Sequence, residues 1–443
     1  MAKITVEQTI AYLKEKKYKE LHKLLNKTHY SIIADILNQL DEENATFIFS
    51  LLHYEKAADV LLEIHEELRQ EIIEHIKKER LVNIVDEMQS DEATDLLNEM
   101  RNDISNLVLE RLEKESSEQI KKLLDYGDET AGGLMQTEII AINYKRKRDD
   151  IIHYIRFNKQ EIEKLYYVFV VNDNRQLIGL LEISKLLLAD KESTAESLME
   201  KDIISVNVFK DQEEVANIFR KYDIYILPVV DDNNVLIGRI TVDDIIDVID
   251  EEASEDAYKM VGLEKEDKVF TSPLNSMRKR LPWLVLNLFT ALTVSSVVGI
   301  FETTIARLSF LAVLMPIVAG LGGNSGTQTL TVIIRGIAMG ELTIYNTFKA
   351  ITKEVTVGIL NGAIIGTLGM LIAFWLKKDI MLGVVLGIAM ITNMFIASLV
   401  GSIIPLVMKK LNIDPALASS VIITMLTDIG GFASFLGLAS IML

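Results

Sequence analysis

The chain has 443 residues, with 46 Lys or Arg against 64 Asp or Glu, a formal net charge of −18 and no cysteine. Residues 281–443 hold only eight of the basic and six of the acidic residues, so the remaining 38 and 58, an acidic excess of 20, lie in residues 1–280. This acidic part argues against nucleic acid as a partner, because phosphate contacts need Lys and Arg, and the lack of cysteine excludes disulfides and thiolate metal sites. The first residues, MAKITVEQTIAYLKEKK, lack an apolar core, so we expect no cleaved signal peptide.

The N-terminal third of the sequence repeats every 12 residues. Apolar residues occupy two positions of each repeat, and acidic residues fill much of the space between them. The first position is held by Leu40, Leu52, Ile64, Ile76, Met88, Met100, Leu112 and Leu124, and the second by Ile48, Val60, Ile72, Ile84, Leu96, Val108 and Ile120. Because 12 is not a coiled-coil period, the pattern predicts short stacked helices in an acidic, superhelical repeat domain over residues 1–130. This domain is either a scaffold or a cation-binding element, since Asp91 and Asp95 lie four residues apart on one helix face.

Two related segments follow this repeat. LMQTEIIAI at Leu134 is similar to LMEKDIISV at Leu198, and VVNDNRQLIGLLEI at Val170 is similar to VVDDNNVLIGRITV at Val229. Each copy is typical of a strand, a helix, two strands around an Asp/Asn turn and a final helix. Together the copies resemble a tandem pair of α/β CBS domains, which we assign to residues 131–190 and 191–253.

The resemblance to CBS domains implies a possible nucleotide site in one copy. In the second copy, GRITVDD fits the family pattern G-x-x-T-x-x-D, which would place Thr241 near a phosphate and Asp244 on the ribose hydroxyls. The first copy has Glu182 and Lys185 at these positions, so we expect its site to be lost. CBS pairs either bind ATP or another adenosine nucleotide or bind none, and the sequence leaves both alternatives open.

An acidic run, TVDDIIDVIDEEASEDAY, closes the second copy. Its carboxylates are Asp243, Asp244, Asp247, Asp250, Glu251, Glu252, Glu255 and Asp256. At helical spacing, several of them share one face, where like charges repel unless they are screened or bridged. The run is therefore either a solvated acidic face or a binding site for Mg²⁺ or Ca²⁺, which prefer carboxylate and water oxygens.

Five apolar segments follow, at about 281–301, 308–333, 355–376, 380–408 and 416–442, and each is long enough to cross a bilayer. With the acidic part inside the cell, eight Lys or Arg flank the segments on the inside and three on the outside. The inside set is Arg278, Lys279, Arg280, Arg335, Lys349, Lys353, Lys409 and Lys410, and the outside set is Arg307, Lys377 and Lys378. This asymmetry predicts a cytoplasmic N-terminus and an external C-terminus in the cell membrane.

Polar residues interrupt two of these segments. The second segment contains MPIVAGLGGNSGTQTL, whose proline and glycines predict a poor continuous helix, with Asn324, Thr327 and Gln328 lining a wet cavity. Close packing of helices through small residues is the alternative. The last segment carries Asp428, with Thr424 and Ser420 one and two turns before it. An intramembrane carboxylate indicates a functional site, and a homodimer would bring two of them together at a two-fold axis. Otherwise Asp428 is protonated or paired with Arg335.

In this order, these features resemble the MgtE-type magnesium transporter or channel family from end to end. The motifs that carry the resemblance are the acidic helical repeat, AGGLM before the CBS pair, RKRLPWL, GGNSGTQ and TDIGGF. The family implies a homodimer in the lipid bilayer, a pore at the dimer axis, a connecting plug helix over about 254–280 and a five-helix transmembrane domain over 281–443. It further implies that Asp428 is the pore carboxylate, that Asn324 lines the pore, and that Asp414 faces the plug helix through a bound cation. Some relatives carry an amide at the depth of Ser420, which is a departure here.

The resemblance implies Mg²⁺ import that is gated by cytosolic Mg²⁺. Mg²⁺ would bridge carboxylates of the helical repeat, the CBS pair and the plug helix and hold the pore shut, and the acidic faces would repel when Mg²⁺ falls. The main alternative is a proton- or ion-coupled exporter of Mg²⁺ or Co²⁺ that works through Asp428. A membrane-anchored sensor is a third alternative. No G-x-x-x-x-G-K-[ST] loop and no hydrolase spacing occurs, so we expect a protein that is not an enzyme.

Overall fold

The structure is a computed structural model that describes residues 4–158, 165–263, 269, 271–343, 345–417 and 420–443. The chain divides into two compact units, Met1–Ile246 and Asp247–Leu443. The first unit contains the helical repeat and the CBS pair, and the second contains most of the acidic helix and the apolar segments. Each unit is described by itself below.

The first unit begins with ten short helices. They are α1 (Val6–Lys14), α2 (Tyr18–Leu25), α3 (Tyr30–Leu37), α4 (Glu42–Ser50), α5 (Tyr54–Glu63), α6 (Glu66–His75), α7 (Lys78–Val85), α8 (Ser90–Glu99), α9 (Asn102–Arg111) and α10 (Lys114–Leu123). The second apolar position of every 12-residue repeat, from Ile48 to Ile120, is 0–2% exposed. The stacked short helices predicted from the period are therefore confirmed, and each helix buries one apolar face on its neighbours.

The CBS pair contains two three-stranded sheets of the same topology. The first sheet has β1 (Ala141–Asn143), β2 (Tyr167–Val171) and β3 (Leu177–Glu182), and the second has β4 (Val206–Asn207), β5 (Ile226–Val230) and β6 (Leu236–Thr241). In both sheets the first pair of strands is parallel and the second pair antiparallel, with a register shift at the last paired residues of the middle strand. The accompanying helices are α11 (Arg148–Phe157), α12 (Ile183–Leu188), α13 (Ala195–Leu198) and α14 (Gln212–Tyr222).

The two copies pack on one another reciprocally. Gly179 in the third strand of the first sheet lies against Met199, and Gly238 at the same place in the second sheet lies against Met135. A Cβ at either glycine would come within 2.9 Å of a backbone carbonyl oxygen of the other copy's LM segment. This close approach explains why both copies carry the L-I-G motif, and it confirms the tandem α/β pair.

The acidic run forms α15 (Val242–Met260), which starts directly after the last CBS strand. The residues predicted to form one connecting helix, 254–280, belong to two different helices where the structure describes them as helical. The first of these residues belong to α15, residues 264–268 and 270 lie outside the described residues, and residues 273–280 already belong to the first membrane helix. The acidic run and the start of the predicted connecting helix are thus one 19-residue helix.

Five helices of the described residues are long and apolar enough to cross a membrane, which confirms the five-helix prediction. They are α16 (Pro273–Ile300), α18 (Phe310–Ala338), α19 (Thr347–Lys377), α20 (Ile380–Lys410) and α21 (Ser420–Met442). A short helix, α17 (Glu302–Arg307), follows the first of them, and a 3-10 turn (Pro415–Leu417) precedes the last. Most of these helices extend beyond the predicted apolar segments, because their polar flanks continue the helix.

The prediction that the second membrane segment is a poor continuous helix is wrong. The helix α18 runs from Phe310 to Ala338 and includes Pro316. Its glycines pack closely against other helices, since a Cβ at Gly326 would lie 2.5 Å from Ile423 and one at Gly323 would lie 3.6 Å from Thr424. In lipid an unbroken helix satisfies its own backbone, and small residues let neighbouring helices approach. The glycines thus pack closely, as the alternative predicted, while the lining by Asn324, Thr327 and Gln328 stays a prediction.

Candidate ion pathway and regulatory sites

The contact between α18 and α21 surrounds the predicted pore residues of the last helix. Gly323 of α18 faces Thr424 of α21, and Thr424 lies one turn before Asp428 on the same helix face. Asp428 is half-buried, and its Oδ1 atom is buried with no hydrogen-bond partner among the described residues. A carboxylate oxygen without a donor at membrane depth is able to accept hydrogen bonds from a water molecule or a hydrated cation.

The other predicted lining residues differ in exposure. Asn324 and Gln328 are exposed on α18, whereas Thr327 and Ser420 are half-buried. The structure therefore brings Thr424, one turn before Asp428, next to α18, while the two amides lie on the surface of the single chain. Exposed amides on a membrane helix require a wet passage or another protein surface, because lipid offers them no hydrogen bonds.

Sequence reasoning missed one buried polar residue of this region, Asn393 of α20. Its side chain lies against Gly322 of α18 and Gly431 of α21, and its Nδ2 atom donates a hydrogen bond of 2.8 Å to the Val318 carbonyl oxygen. The Oδ1 atom of Asn393 is buried without a partner among the described residues. The single asparagine in the apolar stretch GIAMITNMFIASLVG was the available signal.

The end of α15 contacts the loop before α21 through a lysine that the sequence analysis did not identify. Lys259 Nζ lies 2.6 Å from Asp414 Oδ2 and also pairs with Glu255. Asp414 further accepts a hydrogen bond of 2.8 Å from the Ala416 amide. Where the family resemblance implies a bound cation between the plug helix and Asp414, the structure places a lysine ammonium. The i,i+4 spacing of Glu255 and Lys259 was the available signal.

The electrostatics of this contact are strongly perturbed. Burial lowers the pKa of Lys259, but the hydrogen bonds to Asp414 and Glu255 outweigh it and raise that pKa well above its ordinary value. Burial, followed by the nearby charge of Asp414, raises the pKa of Asp256 to about 6. Three carboxyl groups therefore surround one ammonium, and the least favourable negative charge among them is that of Asp256. Met260, next along the helix, packs against Leu330 and Ile334 of α18.

The two residues of the predicted pair differ in burial, since Asp91 is only 6% exposed whereas Asp95 is exposed. Burial, and secondly the charge of Asp244, raises the pKa of Asp91 well above its ordinary range. The Asp91 Oδ1 atom has no hydrogen-bond partner among the described residues. Next to it, Ser90 Oγ donates to Glu138 Oε2 at 2.9 Å and accepts from the Thr137 amide at 2.9 Å. The helical repeat thus meets the start of the CBS pair through Ser90, and the charge of Asp91 interacts with that of Asp244 at the end of the second copy.

The carboxylates of α15 do not share one environment. Asp243, Asp247, Asp250 and Glu251 are exposed, whereas Glu252 and Glu255 are half-buried. Within the described residues, no group of three or more His, Cys, Asp or Glu side chains is placed to hold a metal ion. The acidic stripe is therefore spread along the helix surface.

An open cavity of about 230 Å³ lies beside the predicted nucleotide motif. Arg239, Thr241, Tyr166 and Tyr225 are among its lining residues, and Asp243 lines it as well. Asp244 plays a local role, since Thr241 Oγ1 donates to Asp244 Oδ2 at 2.7 Å and the Thr241 amide donates at 3.2 Å. A guanidinium, a hydroxyl and two aromatic rings are suited to phosphate, sugar and base. Sequence reasoning missed Arg239, although it lies within the motif GRITVDD.

An acidic helical domain, a CBS pair and five membrane helices with an intramembrane carboxylate define the class of ion transporters or channels that carry soluble helical and CBS domains. Comparison with known proteins agrees with this class. The chain matches "MgtE: Divalent cation transporter" over residues 315–438, "MgtE intracellular N domain" over 28–129 and "CBS domain" over 195–251. It is 37% identical to the magnesium transporter MgtE of Enterococcus faecalis over 74% of this chain and 72% of that protein. It is 34% identical to the magnesium transporter MgtE of Bacillus subtilis over 74% of this chain and 73% of that protein.

The chain belongs to the MgtE family of magnesium transporters. The chain is similar to the crystal structure of the soluble part of a magnesium transporter, at 31% identity and a TM-score of 0.52 over 56% of this chain and 98% of that one. It is also similar to the cytosolic domain of the Mg²⁺ channel MgtE in complex with ATP, at 28% identity and a TM-score of 0.53. This similarity covers 55% of this chain and 100% of that one. The protein is a multi-pass membrane Mg²⁺ transporter or channel and not an enzyme.

Proposed function

We propose that the chain forms a homodimer that imports Mg²⁺ through a passage lined by Asp428 from both subunits. The observation that carries this proposal is the buried Asp428 Oδ1 atom, which has no hydrogen-bond partner in the described part of the chain and lies one turn after the contact of Thr424 with α18. An ionised carboxylate in a membrane helix is costly, so it is retained where it meets an ion or water. A two-fold axis would supply two such carboxylates, and it would cover the exposed amides Asn324 and Gln328 with a second chain or with water.

The ion chemistry proposed for this passage is recognition of hydrated Mg²⁺. Mg²⁺ gives up its water reluctantly, so carboxylate, hydroxyl and amide oxygens would bind it through its hydration shell. Thr424, Ser420 and Thr327 add hydroxyl groups next to the carboxylate. The excess of Lys and Arg on one side of the membrane segments supports a cytoplasmic N-terminus and an external C-terminus.

We propose cytosolic Mg²⁺ as the ligand that closes the passage. Asp91 and Asp244 fit a bridging cation, because the charges of the two acids repel each other and the buried Asp91 Oδ1 atom has no hydrogen-bond donor within the described ranges. The exposed Asp243, Asp247 and Glu251 would add weaker binding to α15. Several weak sites that all favour one arrangement of the soluble part give a usable switch, since each shifts the equilibrium only by its differential affinity.

We also propose that ATP or a related adenosine nucleotide binds the cavity at Arg239. A related cytosolic domain has been crystallised with ATP, and the cavity here combines Thr241 and Arg239 with Tyr166 and Tyr225. The guanidinium would hold a phosphate, and the tyrosines would stack on the base. The first CBS copy has Leu180 at the position of Arg239, and its Glu182 is bonded to Ser184 at 2.5 Å. The first copy therefore has no arginine at this place, and its Lys185 is paired with Glu200.

The passage is tested with Asp428→Asn in proteoliposomes that hold the full-length protein. We expect loss of Mg²⁺ flux with a preserved dimer, because the amide keeps the size of the side chain but removes its negative charge. The matched control is Asp379→Asn at the exposed N-cap of α20, where asparagine caps as well as aspartate. Normal flux through Asp428→Asn would refute the passage. An uptake that follows an imposed proton gradient instead of the Mg²⁺ gradient would favour the coupled exporter.

The nucleotide proposal is tested by ATP titration of the full-length protein with Tyr225→Ala. Tyr225 is 63% exposed, so its loss leaves the fold intact. Stacking on an aromatic ring contributes about 1–3 kcal/mol, which predicts an ATP Kd that is about 5- to 150-fold weaker. Tyr222→Ala, at a tyrosine that is 49% exposed and does not line the cavity, is the control. Equal ATP binding by both variants would contradict the assignment.

A further inference from the structure

Asn393 occupies the point where three membrane helices meet. It is 2% exposed on α20, and it fills the space left by the missing side chains of Gly322 on α18 and Gly431 on α21. A Cβ at Gly431 would lie 2.6 Å from Asn393 Nδ2, and a Cβ at Gly322 would overlap the same atom. The two glycines therefore admit one amide between the helices that carry the proposed pore residues.

The hydrogen bond of this amide differs from those of the other buried polar side chains nearby. Ser398, Ser402 and Thr427 each donate to a carbonyl oxygen of their own helix, which adds nothing between helices. Asn393 Nδ2 instead donates across to the Val318 carbonyl oxygen of α18, at 2.8 Å. In lipid, a lost donor finds little replacement, so such a bond restrains the two helices.

The position of this contact along α21 relates it to Asp428. Gly431 lies three residues after Asp428 and Thr424 four residues before it, so all three share one side of the helix. Thr424 faces Gly323, which is the neighbour in sequence of Gly322. Asp428 is thus bracketed by two contacts with adjacent residues of α18, one direct and one through Asn393.

We infer that Asn393 is a positioning residue for cation selection, which sets the distance and depth of the Asp428 side chain relative to α18. The inference rests on the proposed role of Asp428 in the passage. A hydrated ion is distinguished by the fixed spacing of oxygens that bind its waters, and Mg²⁺ holds a smaller and more rigid shell than Ca²⁺. A site that is loosened by a fraction of an ångström loses this discrimination before it loses conduction.

The first test compares Asn393→Leu, which has a similar volume but no hydrogen bond, with Ser398→Ala, which removes a buried hydroxyl bonded within its own helix. Mg²⁺ and Ca²⁺ uptake is measured against ion concentration in proteoliposomes. We expect the preference for Mg²⁺ over Ca²⁺ to fall roughly three- to twentyfold in Asn393→Leu, the range for one hydrogen bond between membrane helices. Ser398→Ala should keep the preference. A lower yield of Asn393→Leu with an unchanged ion preference would overturn the inference.

A second measurement reports helix position without transport. The chain has no cysteine, so Gly323→Cys combined with Thr424→Cys creates a single possible disulfide between α18 and α21 within a chain. We expect efficient cross-linking with Asn393 present and a clear loss of it with Asn393→Leu, or with Asn393→Ala if the leucine variant does not accumulate in membranes. Unchanged cross-linking would overturn the positioning role. If cross-linking depends on Asn393 while Asp428→Asn still conducts Mg²⁺, the positioning stands and the proposed passage fails.

Discussion

Replacement of Lys259 by methionine tests whether a fixed positive charge and a bound metal ion both hold α15 against the loop before α21. In the structure this ammonium holds the end of α15 to the loop at Asp414. Without it, Glu255, Asp256 and Asp414 form an uncompensated cluster, so α15 should leave the loop when no divalent ion is present. Added Mg²⁺ should restore the contact, because the same three carboxylates then become available to a cation. The variant should therefore conduct more at low Mg²⁺ and depend more steeply on Mg²⁺.

The free energy that this ion pair contributes follows from the exposure of its two side chains. The side chains of Lys259 and Asp414 are 27% and 35% exposed, so the contact is neither a surface pair nor a fully buried one. Exposed pairs contribute about 0.2–1 kcal/mol, and breaking a buried pair costs about 3–5 kcal/mol. An intermediate value of about 1–2 kcal/mol predicts a five- to thirtyfold shift in the equilibrium between held and released α15.

The assay is Mg²⁺ flux in proteoliposomes at several Mg²⁺ concentrations on the side of the soluble unit. Lys259→Arg should behave like the unchanged chain, since it keeps the positive charge. Lys410→Met removes the same charge at an exposed residue four positions before Asp414 and should have little effect. The reasoning is refuted if Lys259→Met and Lys410→Met have equal flux at low Mg²⁺, or if Lys259→Met lowers it.

Two further predictions concern packing and pH. Gly401→Ala should destabilise the membrane unit by about 1–3 kcal/mol, because its Cβ would lie 2.7 Å from the Gly326 carbonyl oxygen, whereas Gly437→Ala meets nothing within 4 Å. Thermal unfolding in detergent checks this, and equal midpoints would contradict it. Because the pKa of Asp256 is raised to about 6, the docked α15 binds more protons than the released one between about pH 4 and 6. Flux at low Mg²⁺ should thus fall as pH decreases through about 6 on the soluble side, and Asp256→Asn should remove that dependence.

The helical repeat and the CBS pair were predictable because their patterns reflect burial directly. A residue such as Val60 or Ile72 recurs at a fixed period, since every repeat buries the same position, and the structure leaves both 0% exposed. The paired motifs around Gly179 and Gly238 likewise record a contact that each copy makes with the other. Where one short pattern fixes one local structure, the sequence is sufficient.

The candidate sites were less predictable because they depend on residues far apart in the chain. Asp91 and Asp95 are equivalent in spacing, and only the contact with the CBS pair buries Asp91. The glycines of α18 could break a helix or allow close packing, and the choice depends on α20 and α21. Lys259 and Asp414 are separated by 155 residues, so no local pattern links them.

The chain therefore contains two kinds of acidic contact, and their physics differs. At Asp414 the lysine is always present, so this contact keeps part of its strength at any Mg²⁺ concentration. At Asp91 and Asp244, the single guanidinium of Arg239 interacts with four carboxyl groups, those of Glu138, Asp91, Asp244 and Asp243. Asp91 Oδ1 has no hydrogen-bond partner among the described residues, so a proton or an added cation would relieve the remaining repulsion. We expect the lysine contact to set the resting position of α15, and the contact at Asp91 and Asp244, where one arginine faces four carboxyl groups, to give the concentration dependence. Mg²⁺ sensing in this protein should then be lost by neutralising Asp91 or Asp244, while Lys259 sets the threshold at which it acts.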